Sequence, residues 1–105
     1  MRIQWTPEAR AQLRAIHEHI AQESPKIAQQ VVERLLSRCG RLADLPLSGR
    51  KVADYNRDDL RELPVRPYRL IYRVMREQVD IISVMHVRRL LPRDWRRLGK
   101  PAPDQ

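Results

Sequence analysis

The stretch Tyr68-Arg69-Leu70-Ile71-Tyr72-Arg73-Val74-Met75-Arg76-Glu77-Gln78-Val79-Asp80-Ile81-Ile82-Ser83-Val84-Met85-His86-Val87 decides the fold. It holds two runs rich in β-branched and aromatic residues, Tyr68 to Arg76 and Val79 to Val87, which is the composition of strands. Glu77-Gln78 reads as the two-residue tip of a hairpin, although it lacks the glycine that a primed turn prefers. With that tip Val74 pairs with Ile81, Leu70 with Met85 and Arg69 with His86. Alternation then sorts the side chains onto two faces. One carries Tyr68, Leu70, Tyr72, Val74, Val79, Ile81 and Met85, and suits a helical cover. The other carries Arg69, Ile71, Arg73, Ile82, Val84 and His86, half apolar and half cationic.

Upstream, Leu60-Arg61-Glu62-Leu63 is a shorter strand-like run stopped by Pro64, and Leu45 to Arg57, with Pro46, Ser48-Gly49 and Asn56, reads as a loop. Thr6-Pro7-Glu8 and Ser24-Pro25 are two helix starts: a hydroxyl to cap free N–H groups, then a proline suited to the first helical position. Ala9, Leu13, Ile16 and Ile20 make one apolar stripe on a helix ending near Glu23. Ile27, Val31, Leu35 and Leu42, widened by Val32, Leu36 and Cys39, make another on a helix from Pro25 to Asp44. So short a joint gives an antiparallel αα-hairpin. A DNA-reading helix-turn-helix is disfavoured by the helix lengths and by the glycine-free joint. Arg2-Ile3-Gln4-Trp5 alternates as a short first strand.

The order is therefore β-α-α-β-β-β, a two-layer α+β domain with a helical hairpin packed on a mainly antiparallel sheet. The chain has 105 residues, room for one domain, set at 1–98, with 99–105 as a flexible tail. One face of the sheet has no helix left to cover it. Either a partner covers it, as exposed mixed patches usually require, or Arg88 to Leu98 folds back over it. The first is the preferred expectation.

Composition excludes several classes. A single cysteine, Cys39, makes neither an internal disulfide nor a cysteine-rich zinc site. His17 and His19, two apart on a helix, cannot share a metal. No apolar run exceeds three residues, so a transmembrane helix is excluded, and the start has no signal-like apolar region. These features predict a cytoplasmic protein with no membrane partner. With three glycines there is no dinucleotide or phosphate loop, and no cofactor is expected. The net charge of +8, all but Lys26, Lys51 and Lys100 of its cations being arginine, predicts a polyanionic partner.

His86 beside Arg69 is the minimal kit of a ribonuclease, a base next to a phosphate-binding arginine. The competing reading is a histidine held structurally by its neighbour. Arg88, Arg89, Arg93, Arg96 and Arg97, with Trp95 among them, form a cationic run suited to a phosphate backbone or an acidic protein groove.

These residues also carry a resemblance. Trp5-Thr6-Pro7-Glu8-Ala9, Leu45-Pro46-Leu47-Ser48-Gly49-Arg50, Leu60-Arg61-Glu62-Leu63 with Tyr68-Arg69-Leu70-Ile71-Tyr72-Arg73-Val74, and Val84-Met85-His86-Val87-Arg88-Arg89 resemble, in order and spacing, the RelE/ParE toxin superfamily. The match spans Arg2 to Leu91. It implies the toxin of a bacterial type II toxin–antitoxin pair. RelE-like members are ribosome-dependent mRNA endonucleases, and ParE-like members poison DNA gyrase. On the RelE-like reading Arg61, Arg69, Arg73 and His86 are the catalytic set. However, Val87 stands where nuclease members often carry tyrosine, and Arg61 is the only cation in Leu60–Leu63. The Arg88-Arg89 ending favours the ParE side, with no catalytic residue. The resemblance then implies a gyrase contact at Arg88, Arg89, Arg93, Trp95, Arg96 and Arg97. It further implies an acidic, ParD-like antitoxin that folds on binding, laying an apolar-faced helix against the helical hairpin and an extended segment on the sheet's open face at Arg69, Ile71, Arg73, Ile82 and Val84, with promoter DNA bound only through the antitoxin complex. A plain nucleic-acid-binding module is the third reading.

Overall fold

The two hydroxyl-proline starts each cap a helix. Thr6 accepts the Ala9 N–H at 3.1 Å and Ser24 the Ile27 N–H at 3.2 Å, each contact worth about 1 kcal/mol. A computed structural model describes residues 1–101, with α1 at Pro7–Ala21 and α2 at Pro25–Gly40. The second helix stops short of the expected Asp44. The chain tightens instead into a 3₁₀ turn, Arg41–Ala43, which still delivers Leu42 to the core. The buried line of α2 is Ala28, Leu35 and Cys39, not one that includes Ile27 and Leu36. Ile27 lies in the first turn beside the interhelical joint, and Leu36 flanks a surface notch with Trp5 and Leu13, so both stay exposed.

Five strands follow from the alternating runs: β1 (Arg2–Trp5), β2 (Arg50–Lys51), β3 (Leu60–Val65), β4 (Tyr68–Val74) and β5 (Gln78–His86). Their order is β1-β5-β4-β3-β2, with β1 parallel to β5 and every other pair antiparallel. β2 was not foreseen within the loop. Pro64 does not stop β3, which runs on to Val65. β2 pairs only with Arg61 and Glu62, so Pro64 lies on a free edge where its missing N–H breaks no ladder.

The β4–β5 hairpin corrects the expected register. Val74 pairs with Val79, and the Met75 N–H meets the Gln78 carbonyl at 2.8 Å, so the tip is Arg76-Glu77. Tyr72 then faces Ile81 and Ile71 faces Ser83, which leaves Ile82 as the extra residue of a β-bulge. Beyond the bulge the faces exchange. Leu70 pairs with Val84, Arg69 with Met85 and Tyr68 with His86.

The helical side of the sheet holds the main core: Leu70, Tyr72, Val79, Ile81 and Val84 against Ala9, Leu35, Cys39 and Leu42. The other side is not open. Val52, Ile71, Met85 and Leu98 form a second cluster, with Tyr55, Ile82, Leu91 and Trp95 packed on it. The fold-back of the C-terminal segment therefore replaces the preferred expectation of an uncovered face. Leu98 is buried and Gly99 packs against the sheet at φ +81°, where a Cβ would stand 2.5 Å from the Ile82 carbonyl oxygen. Gly99 to Pro101 of the expected tail are thus placed on the domain, and 102–105 lie outside the described residues.

Beyond Trp5, β5 has no strand neighbour on its β1 side. The chain meets its polar groups locally: the Thr6 N–H donates to the Ile81 carbonyl at 3.1 Å, and Gln12 Oε1 on α1 accepts the Val84 N–H at 2.9 Å and the Ser83 hydroxyl at 3.1 Å.

Candidate functional site

The four residues considered for RNA cleavage do not converge. Arg61 lies opposite Tyr72 on the helical side, where it donates to the Asp58 carbonyl at 3.1 Å and the Gly49 carbonyl at 3.0 Å. His86 pairs with Tyr68, their rings edge-on at 5.9 Å, and its Nδ1 accepts the Arg88 N–H at 3.1 Å. Arg69 and Arg73 leave the sheet on the opposite face. The expected Arg69–His86 pair is therefore absent. The bulge and the shifted tip pair Arg69 with Met85 instead.

Each of the three arginines is committed inside the fold. Arg69 donates to the Arg89 carbonyl at 2.9 Å and stands 3.9 Å from Glu62, a buried acid that Arg50 meets at 3.0 Å. Arg73 Nε donates to Asp59 at 3.0 Å. Arg61 ties down the loop at Gly49. That loop is fixed by a close approach: the Gly49 N–H donates to the Tyr72 hydroxyl at 2.9 Å, and a Cβ at Gly49 would stand 2.5 Å from that oxygen. Only glycine fits.

The residues expected to meet an antitoxin are likewise not one surface. Val84 belongs to the helical core, and Ile71 lies beneath the C-terminal segment, both buried. Arg69, Arg73 and Ile82 lie on the side covered by the C-terminal segment, the strap of residues 88–98, and are partly covered.

The cationic run faces outward. Arg88, Arg89, Arg93, Arg96 and Arg97 are exposed, whereas Trp95 is half-buried against the second cluster. Arg57, Arg73 and Arg96 stand over the Trp95 ring with guanidinium carbons 4.7, 5.1 and 5.6 Å from its centre. Asp59 is the hinge of this arrangement. Arg57 donates to it twice at 2.9 Å and Arg73 once at 3.0 Å. Those donors, the Arg57 hydrogen bond foremost, hold the Asp59 carboxyl down at about 2. Arg57, Asp59 and Arg73 were not foreseen as a unit with Trp95. No local spacing signals an assembly of loop, strand and C-terminal turn.

Between α1 and the C-terminal segment runs a groove of about 710 Å³. Ala11 and Ala15 form one wall, Leu90, Leu91 and Pro92 the other, with Arg89, Arg97 and Lys100 at its rim. Leu90 is 92% exposed beside it. No helix of the described residues is long and apolar enough to cross a membrane. Among them, no three His, Cys, Asp or Glu side chains gather as a metal-binding group.

Known proteins match this fold and these motifs. The family model of the ParE toxin of the type II toxin–antitoxin system parDE matches residues 3–91. The toxin RelE2 of Caulobacter vibrioides is 39% identical over 87 residues, covering 82% of this chain and 94% of that protein. A solved structure of the chromosomal ParDE TA system from P. aeruginosa superposes with a TM-score of 0.70 at 24% identity, over 83% of this chain and 96% of the other, which shows the shared fold. The order of elements, the quoted motifs and the family match together place this chain in the ParE toxin family of type II toxin–antitoxin systems.

Proposed function

We propose that this toxin acts in the cytoplasm as a non-enzymatic poison of DNA gyrase and that a cognate acidic antitoxin neutralises it. The observation that carries the reading is the dispersal of the nuclease candidates: Arg61 and His86 lie on one side of the sheet, Arg69 and Arg73 on the other, and all three arginines are engaged by loop or strap. A cleavage site needs base and phosphate-binding cations around one reacting atom. The exposed cations Arg88, Arg89, Arg93, Arg96 and Arg97 instead offer a recognition surface, with Trp95 fixed among them. Purified toxin in excess over gyrase should abolish supercoiling and leave linear DNA. Neither effect at excess toxin overturns the gyrase reading.

The antitoxin reading moves with the structure. With Ile71 and Val84 buried, the open apolar surface is the groove between α1 and the C-terminal segment, and its rim of Arg89, Arg97 and Lys100 suits an apolar-faced helix with acidic flanks. Promoter DNA is then bound through the antitoxin complex.

The mRNA-endonuclease reading is kept by one observation, the name RelE2 of the relative that is 39% identical. It requires cuts within codons of translated mRNA and their loss in His86→Ala.

A further inference from the structure

We propose that Asp59 is the positioning residue of the C-terminal strap, and that the docked strap is the form of the chain that arrests growth. The inference rests on the reading of Arg88 to Arg97 as the target contact, but not on which target they meet. The part of the strap that carries Trp95 and Leu98 lies beyond the family match, which ends at residue 91.

The strap is held at four points. The Arg69 guanidinium donates to the Arg89 carbonyl at 2.9 Å, and the Tyr55 hydroxyl to the Pro92 carbonyl at 2.7 Å. Leu98 is buried on Ile71 and Met85, and Trp95 packs beside it. The Trp95 point is electrostatically peculiar. Arg57, Arg73 and Arg96 crowd one ring, with centroid distances of 4.7, 5.1 and 5.6 Å. Each attraction between cation and ring is modest, and three like charges so close repel one another. Left alone, the cluster would open and the ring would lose its seat.

Two acids form ion pairs with these arginines. Asp94 meets Arg96 at 3.4 Å, but it lies on the strap and moves with it. Asp59 is anchored outside the strap. It directly precedes β3, and its carbonyl accepts the Val74 N–H at 2.8 Å. Its carboxylate takes Arg57 in a fork, 2.9 Å at both oxygens, and Arg73 at 3.0 Å. A planar guanidinium held at two points is fixed in orientation. Asp59 therefore both offsets part of the charge of Arg57 and Arg73 and aims them at the ring. Nothing else within hydrogen-bond reach of Arg57 or Arg73 in the described residues does so. The strap carries the exposed arginines, so its seating fixes how Arg93, Arg96 and Arg97 are presented.

The test uses the full chain with Trp5→Phe, which leaves Trp95 as the single tryptophan reporter. Asp59→Asn keeps the shape and removes the charge. It should speed trypsin cutting after Arg93, Arg96 and Arg97 about tenfold, with cutting after Arg14 and Arg41 unchanged. Trp95 emission should shift to the red while far-ultraviolet circular dichroism stays at the parent value. At matched soluble toxin, survival on expression should rise at least about tenfold. Arg57→Gln, a change at a partly exposed loop residue, should move every readout the same way by less, and it decides the matter should Asp59→Asn not fold. Unchanged strap cutting in these variants overturns the proposal, as does a loosened strap with undiminished growth arrest. A parent that arrests growth without inhibiting gyrase removes the gyrase reading while leaving this proposal standing.

Discussion

The two faces of the sheet are covered by different physics. On one, α1, α2 and the 3₁₀ turn after it bury Ala9, Leu35, Cys39 and Leu42 against Leu70, Tyr72, Val79 and Ile81, and burial of apolar area is what holds them. On the other, a strap without a long helix covers Val52, Ile71 and Met85 with Leu98 and a tryptophan caged by arginines. The strap side depends on charges whose balance rests on Asp59 and Asp94. One sheet thus carries a permanent layer and a conditional one, and the conditional layer bears the exposed cations.

The sharpest way to break this contrast is to cut the same kind of contact on each side. Leu35→Ala should cost about 2–5 kcal/mol, read as a lower urea midpoint with an unchanged slope, because the cavity opens inside the main core. Trp95→Ala should cost only about 1–2 kcal/mol in the same experiment. Its main effect should be local, as faster hydrogen exchange in 88–98 with the exchange of β4 and α2 unaltered. Equal losses of global stability in the two variants would remove the distinction between a permanent and a conditional layer.

The smallest expected effect is a difference in pH response. Asp59 sits at about 2 in the folded protein against an ordinary 3.8, so its contribution is present above about 4 and is lost as pH falls from there through about 2. Cys39 behaves oppositely. Burial raises its thiol from 9.0 to about 11, so the neutral form is favoured and stability is lost as pH rises from about 9 through 11. Tyr72, raised by burial, acts in the same direction. The strap should therefore loosen first in acid, whereas alkali acts on both layers, through Cys39 and Tyr72 on the helical side and through Tyr55, also raised by burial, on the strap. Trp95 emission and far-ultraviolet circular dichroism followed from pH 7 down to 2 would show the acid order, and simultaneous loss of both signals would contradict it.

The helical layer was legible in the sequence because its signals are local. Thr6-Pro7 and Ser24-Pro25 announce caps, and the apolar spacing along both helices announces a stripe. The strands other than β2 were legible for the same reason. The site was less so, because a face assignment depends on register, and register on a single extra residue. The bulge at Ile82 sends Val84 into the helical core and Met85 to the strap side, and it parts His86 from Arg69. The strap escaped the preferred expectation because a run such as Arg93-Asp94-Trp95-Arg96-Arg97-Leu98 reads as solvated charge. Its two apolar anchors count only once Ile71 and Met85 are known to lie opposite them. The cage around Trp95 joins a loop, a strand and a turn far apart in the chain, so no spacing rule reaches it.

Gln12 has a consequence beyond satisfying two donors. The upper half of β5 is an edge, and an edge with unpaired groups recruits strands from other molecules. A single side-chain amide on α1 occupies the Val84 N–H that such a strand would use. The first helix thus acts as a stopper in the sheet's open side, and any chain that extends the sheet there must first pull the Gln12 side chain away.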